Sequence, residues 1–122
     1  TEYLETASDN VFIICQVESA TGVENVEKIA AVDGIDMVFM GPFDLSASLG
    51  RPADFDNPRH KEAMAKCEAA IKAAGKSMGG IGYGPYTPKD LFERGYDLIV
   101  GAADVGLLRD SALEKVKQNK PL

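Results

Sequence analysis

The chain has 122 residues, 45% of them hydrophobic, and a formal net charge of −6 with a pI near 4.7. That length and apolar content predict one domain, residues 1–122, with a core of its own. The acidic balance excludes nucleic acid and anionic membrane as partners, because binding phosphates needs a surplus of Lys and Arg.

The polar opening Thr1-Glu2-Tyr3-Leu4 is no signal peptide, and no later run is long enough to cross a bilayer. The chain does not begin with Met, so it reads as a fragment or a processed product. Val11 to Val17 is nearly continuous apolar, the pattern of a parallel strand covered on both faces. Thr21 with Glu24 three residues on predicts a capping box and a helix carrying Val23, Val26, Ile29 and Ala30 on one face, stopped by Gly34. A second strand runs from Ile35 to Met40. Asp56 or Asn57 then caps a longer helix with Pro58 in its first turn and a stripe of Met64, Cys67, Ala70, Ile71 and Ala74, closed by Gly75. A short, weak strand covers Ser77 to Ile81. Thr87 and Pro88 open the third helix, Gly95 ends it, and Tyr96 to Val100 forms the fourth strand. Asp104 caps a last amphipathic helix with Val105, Leu108, Ala112 and Val116. Two cysteines are too few for a disulfide framework, and Cys15 and Cys67 read as reduced core thiols, which points to the cytoplasm.

Strand and helix alternating four times means an α/β fold with a parallel sheet and right-handed crossovers. An open doubly wound sheet can finish with four strands, whereas a closed barrel needs roughly 250 residues, about twice this length. In either fold the chemistry collects at the carboxyl ends of the strands. The first two of those ends carry carboxylates: Glu18 follows strand one and Asp44 follows strand two. Neighbouring parallel strands lie about 4.8 Å apart, so two such side chains can converge. Oxygen-only donors without Cys or His suit Mg²⁺ or Mn²⁺, with Co²⁺ overlapping, and leave coordination sites for substrate. Gln16, on the same strand face as Glu18, can orient a ligand through its amide, while Gly41 and Pro42 would aim the N–H groups of Phe43 and Asp44 at an anion. The alternative stands beside this: Asp44 as a helix N-cap before Leu45-Ser46-Ala47-Ser48-Leu49, and Glu18 as a solvated residue.

The stretch CQVESATGVENVEKIAAVDGIDMVFMGPFDLSASLG, residues 15–50, resembles the carboxyl-terminal half of the HpcH/HpaI aldolases, metal-dependent (βα)8-barrel enzymes of the pyruvate kinase-like superfamily. AAGKSMGGIG and ERGYDLIVGAADVGLLRDSA continue the likeness over nearly the whole chain. The resemblance implies half of a TIM barrel made of four strand-helix units. It implies a class II aldol reaction on 4-hydroxy-2-oxo acids through a pyruvate enolate, with an aldehyde as second product. Glu18 and Asp44 would be metal ligands and catalytic groups, Gln16 would touch substrate, the Phe43 and Asp44 backbone would hold the carboxylate, and Ile81 would form pocket wall. The barrel's first four units, with the arginine and histidine that the family uses for charge and proton transfer, are not in this sequence. A second copy or an amino-terminal half-barrel would complete it, and residues 104–118 would be an exchanged contact helix in a homo-oligomer. The alternative is a truncated, non-catalytic metal-binding or oligomerising domain.

Other residues carry less. Lys28, Lys66, Lys72, Lys76 and Lys89 occupy positions of solvated charge and not of a Schiff-base amine. His60, in a first helical turn, reads as exposed or lightly packed. GGIGYGP lacks the GxGxxG spacing and reads as a tight turn, with Tyr83 and Tyr86 packing there or lining an entrance. Ser46 and Ser48 have no partners for nucleophilic chemistry.

Overall fold

The structure is a computed structural model that describes residues 2–119, so Thr1, where the polar opening begins, lies outside it. Helix α1 (Glu2–Thr6) and a 3-10 turn (Ala7–Asn10) precede β1 (Ile14–Val17). There follow α2 (Ala20–Glu24), α3 (Val26–Ala30), β2 (Met37–Met40), α4 (Pro42–Ser48), α5 (Pro58–Ala73) and β3 (Ser77–Ile81). The chain ends on α6 (Pro88–Glu93), β4 (Leu98–Val100) and α7 (Asp104–Asn119). The strands pair in the order β1-β2-β3-β4, all parallel, with Gln16, Phe39, Gly79 and Leu98 in one row. No helix among the described residues is long and apolar enough to cross a membrane.

One face of the sheet is covered by helices. Val17, Val38, Met40 and Met78 meet Val26, Leu45, Met64, Cys67, Ile71 and Leu91 there, all nearly or fully buried. Each large apolar side chain so buried contributes roughly 1.5–3 kcal/mol. Burial pushes the Cys67 thiol up to about 11, whereas Cys15 is only partly buried. The other face is open: Ile14 is 46% exposed, and Leu98 and Val100 are each 39% exposed. The expectation of a first strand covered on both faces therefore fails among the described residues.

The weak third strand has a steric reason. A Cβ on Gly79 would lie 2.7 Å from Met37 Sδ and Phe39 Cδ2, and one on Gly80 would lie 2.7 Å from the Tyr96 ring. Glycine here lets large side chains from the neighbouring segments lie across the strand.

Several boundaries move. Pairing starts at Ile14 and not at Val11, because the Asp36 carboxylate accepts the Ile13 N–H at 2.7 Å and the ladder with β2 begins just there. Ser19, not Thr21, caps the next helix, its Oγ accepting from Gly22 N–H at 3.1 Å, so the Thr21–Glu24 box is not formed. That helix also breaks at Asn25, whose Nδ2 donates to Thr21 O at 2.9 Å and closes the first segment. Asn57 is the cap of α5, while Asp56 instead pairs with Lys61 at 2.8 Å. Thr87 and Asp90 form a reciprocal capping box that holds the Asp90 carboxyl below its ordinary value. Asp104 accepts the Val105 N–H at 2.8 Å. The apolar stripe of α7 covers nothing here, since none of its described residues is buried.

Candidate functional site

The carboxyl ends of the four strands surround a cleft of about 360 Å³ lined by Gln16, Phe39, Gly41, Pro42, Phe43, Asp44, Ile81 and Val100. Four of the five residues expected at the site, Gln16, Phe43, Asp44 and Ile81, thus meet in one place. Glu18 does not line the cleft itself. Its Oε2 instead accepts from Gln16 Nε2 at 2.6 Å, which ties the carboxylate to a lining side chain.

Gly41 makes that arrangement sterically feasible. A Cβ there would lie 2.7 Å from Glu18 Cβ, 2.8 Å from Gln16 Nε2 and 3.0 Å from Glu18 Oε2. The backbone of Gly41 is anchored by its N–H to Val17 O at 3.0 Å, so the end of β2 presses against the Gln16–Glu18 pair. Pro42 then begins α4, which places Asp44 in the first helical turn and not at the cap; Gly41 occupies the flanking position. The cap reading of Asp44 is thereby corrected. An acidic side chain in the first turn still suits the positive end of the helix.

The remaining parts of the first turn are held from below. Ser46 Oγ donates to Phe43 O at 2.6 Å and accepts from Ala53 N–H at 2.8 Å. Ser48 Oγ accepts from Ala20 N–H at 3.0 Å, which joins the end of α4 to the segment after Glu18. Both hydroxyls are engaged in holding backbone. His60 is 2% exposed, contrary to the expectation of an exposed or lightly packed residue, and its Nε2 lies 3.1 Å from Pro42 O. Phe55 and Tyr83 enclose the ring, with centroids 5.5 and 5.7 Å away. Tyr83 and Tyr86 close a tight turn through reciprocal backbone bonds of 3.1 and 2.9 Å, and neither lines the cleft.

No lysine lines the cleft. Lys76 donates to Ile35 O at 2.7 Å, Lys72 to Arg94 O at 2.6 Å, and Lys89 lies 3.7 Å from Glu93 on the surface. A larger hollow of about 500 Å³ between α3 and α5 is walled mainly by Ala69, Ala70, Ala73 and Ala74 and belongs to the helix layer. Among the described residues no group of three or more His, Cys, Asp and Glu is placed to hold a metal. The candidate donors are the two carboxylates, and water and substrate would complete the shell.

One polar network had no counterpart in the sequence reading. Glu68 Oε1 accepts from Arg94 Nη2 at 2.6 Å and from the Tyr96 hydroxyl at 2.8 Å. Arg94 also stacks on Tyr86 at 4.7 Å. Burial works against the Arg94 charge, but Glu68 outweighs it and keeps the guanidinium above its ordinary value. Burial, with Glu68 beside it, likewise raises Tyr96 well above the usual phenol range. The available signal was Glu68 itself, a charge four residues after Met64 on the buried stripe.

Residues 2–111 match the model of the HpcH/HpaI aldolase/citrate lyase family. The chain is 36% identical to a hydroxypyruvate/pyruvate aldolase of Chromohalobacter salexigens, over 98% of this chain and 47% of that protein. It is 37% identical to a 2-keto-3-deoxy-L-rhamnonate aldolase of Klebsiella pneumoniae, over 93% of this chain and 42% of the relative. A solved HpcH/HpaI aldolase/citrate lyase family protein from Burkholderia cenocepacia superposes with a TM-score of 0.87 at 42% identity, covering 96% of this chain and 46% of that one. An HpcH/HpaI aldolase from Desulfitobacterium hafniense gives 0.85 at 30% identity, covering 99% and 47%. The chain spans less than half the length of these relatives. Its four parallel strand-helix units are therefore half of a TIM-like barrel, and the open sheet face is the face that lines the barrel's interior.

Proposed function

The chain belongs to the HpcH/HpaI aldolase/citrate lyase family, and from that premise we propose that it carries the metal and 2-oxo-acid half of an aldolase site. The reaction is reversible cleavage of a 4-hydroxy-2-oxo acid to pyruvate and an aldehyde. One observation supports this best: Gln16, Phe43, Asp44 and Ile81 share one cleft, and Glu18 is held beside it by Gln16.

The residues fit a divalent ion. Two carboxylates and an amide offer only oxygen donors and one orienting group, and the missing Cβ of Gly41 leaves them room. Glu18 and Asp44 would hold Mg²⁺ or Mn²⁺, with Co²⁺ as an alternative. When bound, the ion supplies Lewis-acid stabilisation of the negative charge that develops on the 2-oxo acid. The Phe43 and Asp44 N–H groups hold the substrate carboxylate, and Gln16 orients the oxo end. Phe39, Pro42, Ile81 and Val100 form an apolar wall that, once the open face is covered, would keep water away and strengthen these interactions. In cleavage the C3–C4 bond breaks, the C4 hydroxyl loses its proton, and C3 later gains one. The groups that move those protons belong to the other half of the barrel. That half, an amino-terminal segment or a second copy, would cover the open face of β1 and β4, with α7 as a further contact in a homo-oligomer. The charge balance and the free thiols fit a cytoplasmic, single-domain unit.

The second reading is a non-catalytic metal-binding or oligomerising domain, and the open face of the sheet favours it. Aldol cleavage of a 4-hydroxy-2-oxo acid in the presence of Mn²⁺, assayed with the other half of the barrel in place, separates them. The enzyme reading expects turnover that falls by about 10³-fold or more in Glu18→Ala. Metal binding without turnover supports the second reading.

A further inference from the structure

We propose that His60 is a positioning residue for the site: it fixes the direction in which the Phe43 N–H points by holding the other end of the same peptide group. The inference deepens the aldolase reading and rests on it for the identity of the anion. Every described peptide bond is trans, and in a trans peptide the C=O and N–H point in opposite directions. The peptide joining Pro42 to Phe43 has its carbonyl 3.1 Å from His60 Nε2, so the Phe43 N–H is turned away from His60. The next peptide is treated the same way. Its carbonyl, Phe43 O, accepts from Ser46 Oγ at 2.6 Å, and this turns the Asp44 N–H. Both N–H groups belong to residues that line the cleft. In the first helical turn neither has a partner within the helix.

The side chain is built for that task. A carbonyl can only accept, so the contact requires a proton on Nε2. Nδ1 has no hydrogen-bond partner among the described residues, while Phe55 and Tyr83 pack edge-on against the ring. Phe55 also braces the Phe43 ring, with centroids 5.1 Å apart at 84°. Packing alone would be served by phenylalanine. Histidine adds one donor, aimed at one carbonyl.

The test uses the whole chain, Mn²⁺ and oxalate as a planar two-oxygen anion. His60→Phe keeps the ring and removes the donor, and His60→Gln restores an N–H. The expected result is an oxalate affinity about tenfold weaker in His60→Phe at unchanged affinity for Mn²⁺ alone, with a displaced Phe43 amide resonance. His60→Gln should stay within about threefold of the wild type. Long-range ¹H–¹⁵N correlation spectra of the wild type provide a readout that needs no variant: the proton should sit on Nε2. Protonation at Nδ1 alone overturns the proposal, as does a folded His60→Phe variant with wild-type oxalate affinity. A wild-type chain that binds neither Mn²⁺ nor oxalate sinks the aldolase reading instead, and the tautomer and the Phe43 resonance still decide whether His60 holds this peptide.

Discussion

In Gly41→Ala, Mn²⁺ binding in the presence of oxalate is expected to weaken by about 100-fold or more, which is roughly 2.7 kcal/mol. The new methyl group would sit 2.7 Å from Glu18 Cβ and 2.8 Å from Gln16 Nε2. Gln16 can swing its amide aside, but Cβ of Glu18 moves only with its backbone. That backbone is fixed by β1, since Gly41 N–H is bonded to Val17 O at 3.0 Å. The strain is relieved by parting the Gln16–Glu18 pair and pushing the carboxylate out of place. The fold should tolerate this, with about 1–3 kcal/mol lost as in other overpacked sites. Titration calorimetry and a thermal melt read the two effects separately. A variant that binds metal as the wild type does would show that the close approach at Gly41 does not control the site.

Glu68→Ala is expected to act on stability and not on metal binding. It removes the oxygen that accepts from both Arg94 and Tyr96. The Arg94 side chain is 29% exposed, so water only partly replaces the carboxylate, and the Tyr96 residue is 3% exposed. Leaving a part-buried cation and a buried hydroxyl unpaired costs about 2–4 kcal/mol. In a domain of this size that lowers Tm by roughly 10 °C. Glu68→Gln keeps an acceptor and should lose about half as much. Denaturant melts of the two variants check the ranking, and a Glu68→Ala chain as stable as the wild type would contradict it.

The sequence revealed what depends on local pattern. Apolar runs located the first, second and fourth strands, glycines bound the second, third and fourth, and Pro58 and Thr87 located two helix starts. Gly75 and Gly95, with positive φ of 66° and 94°, end α5 and α6 where glycine was expected to. What depends on partners was hidden. Val11, Phe12 and Ile13 look like strand, but β2 offers a ladder only from Met37 onward. His60 reads as exposed or lightly packed because nothing in its first-turn position announces that Phe55 and Tyr83 fold over it. Glu68 and Tyr96 meet across 28 residues of sequence, a separation at which spacing carries no information. Four of the five candidate site residues line one cleft, and they could be placed there because strand ends are local features. Of the two carbonyl anchors beneath them, Ser46 reaches back three residues within α4, whereas His60 comes from packing across 18 residues.

Calorimetric titration of Mn²⁺, with oxalate present, into the 122-residue chain and its Asp44→Ala variant tests the central claim most directly. Saturable binding by the chain and its loss in Asp44→Ala is the predicted result. Equal binding by both proteins, or binding by neither, would contradict the assignment of a metal and 2-oxo-acid site to Glu18 and Asp44.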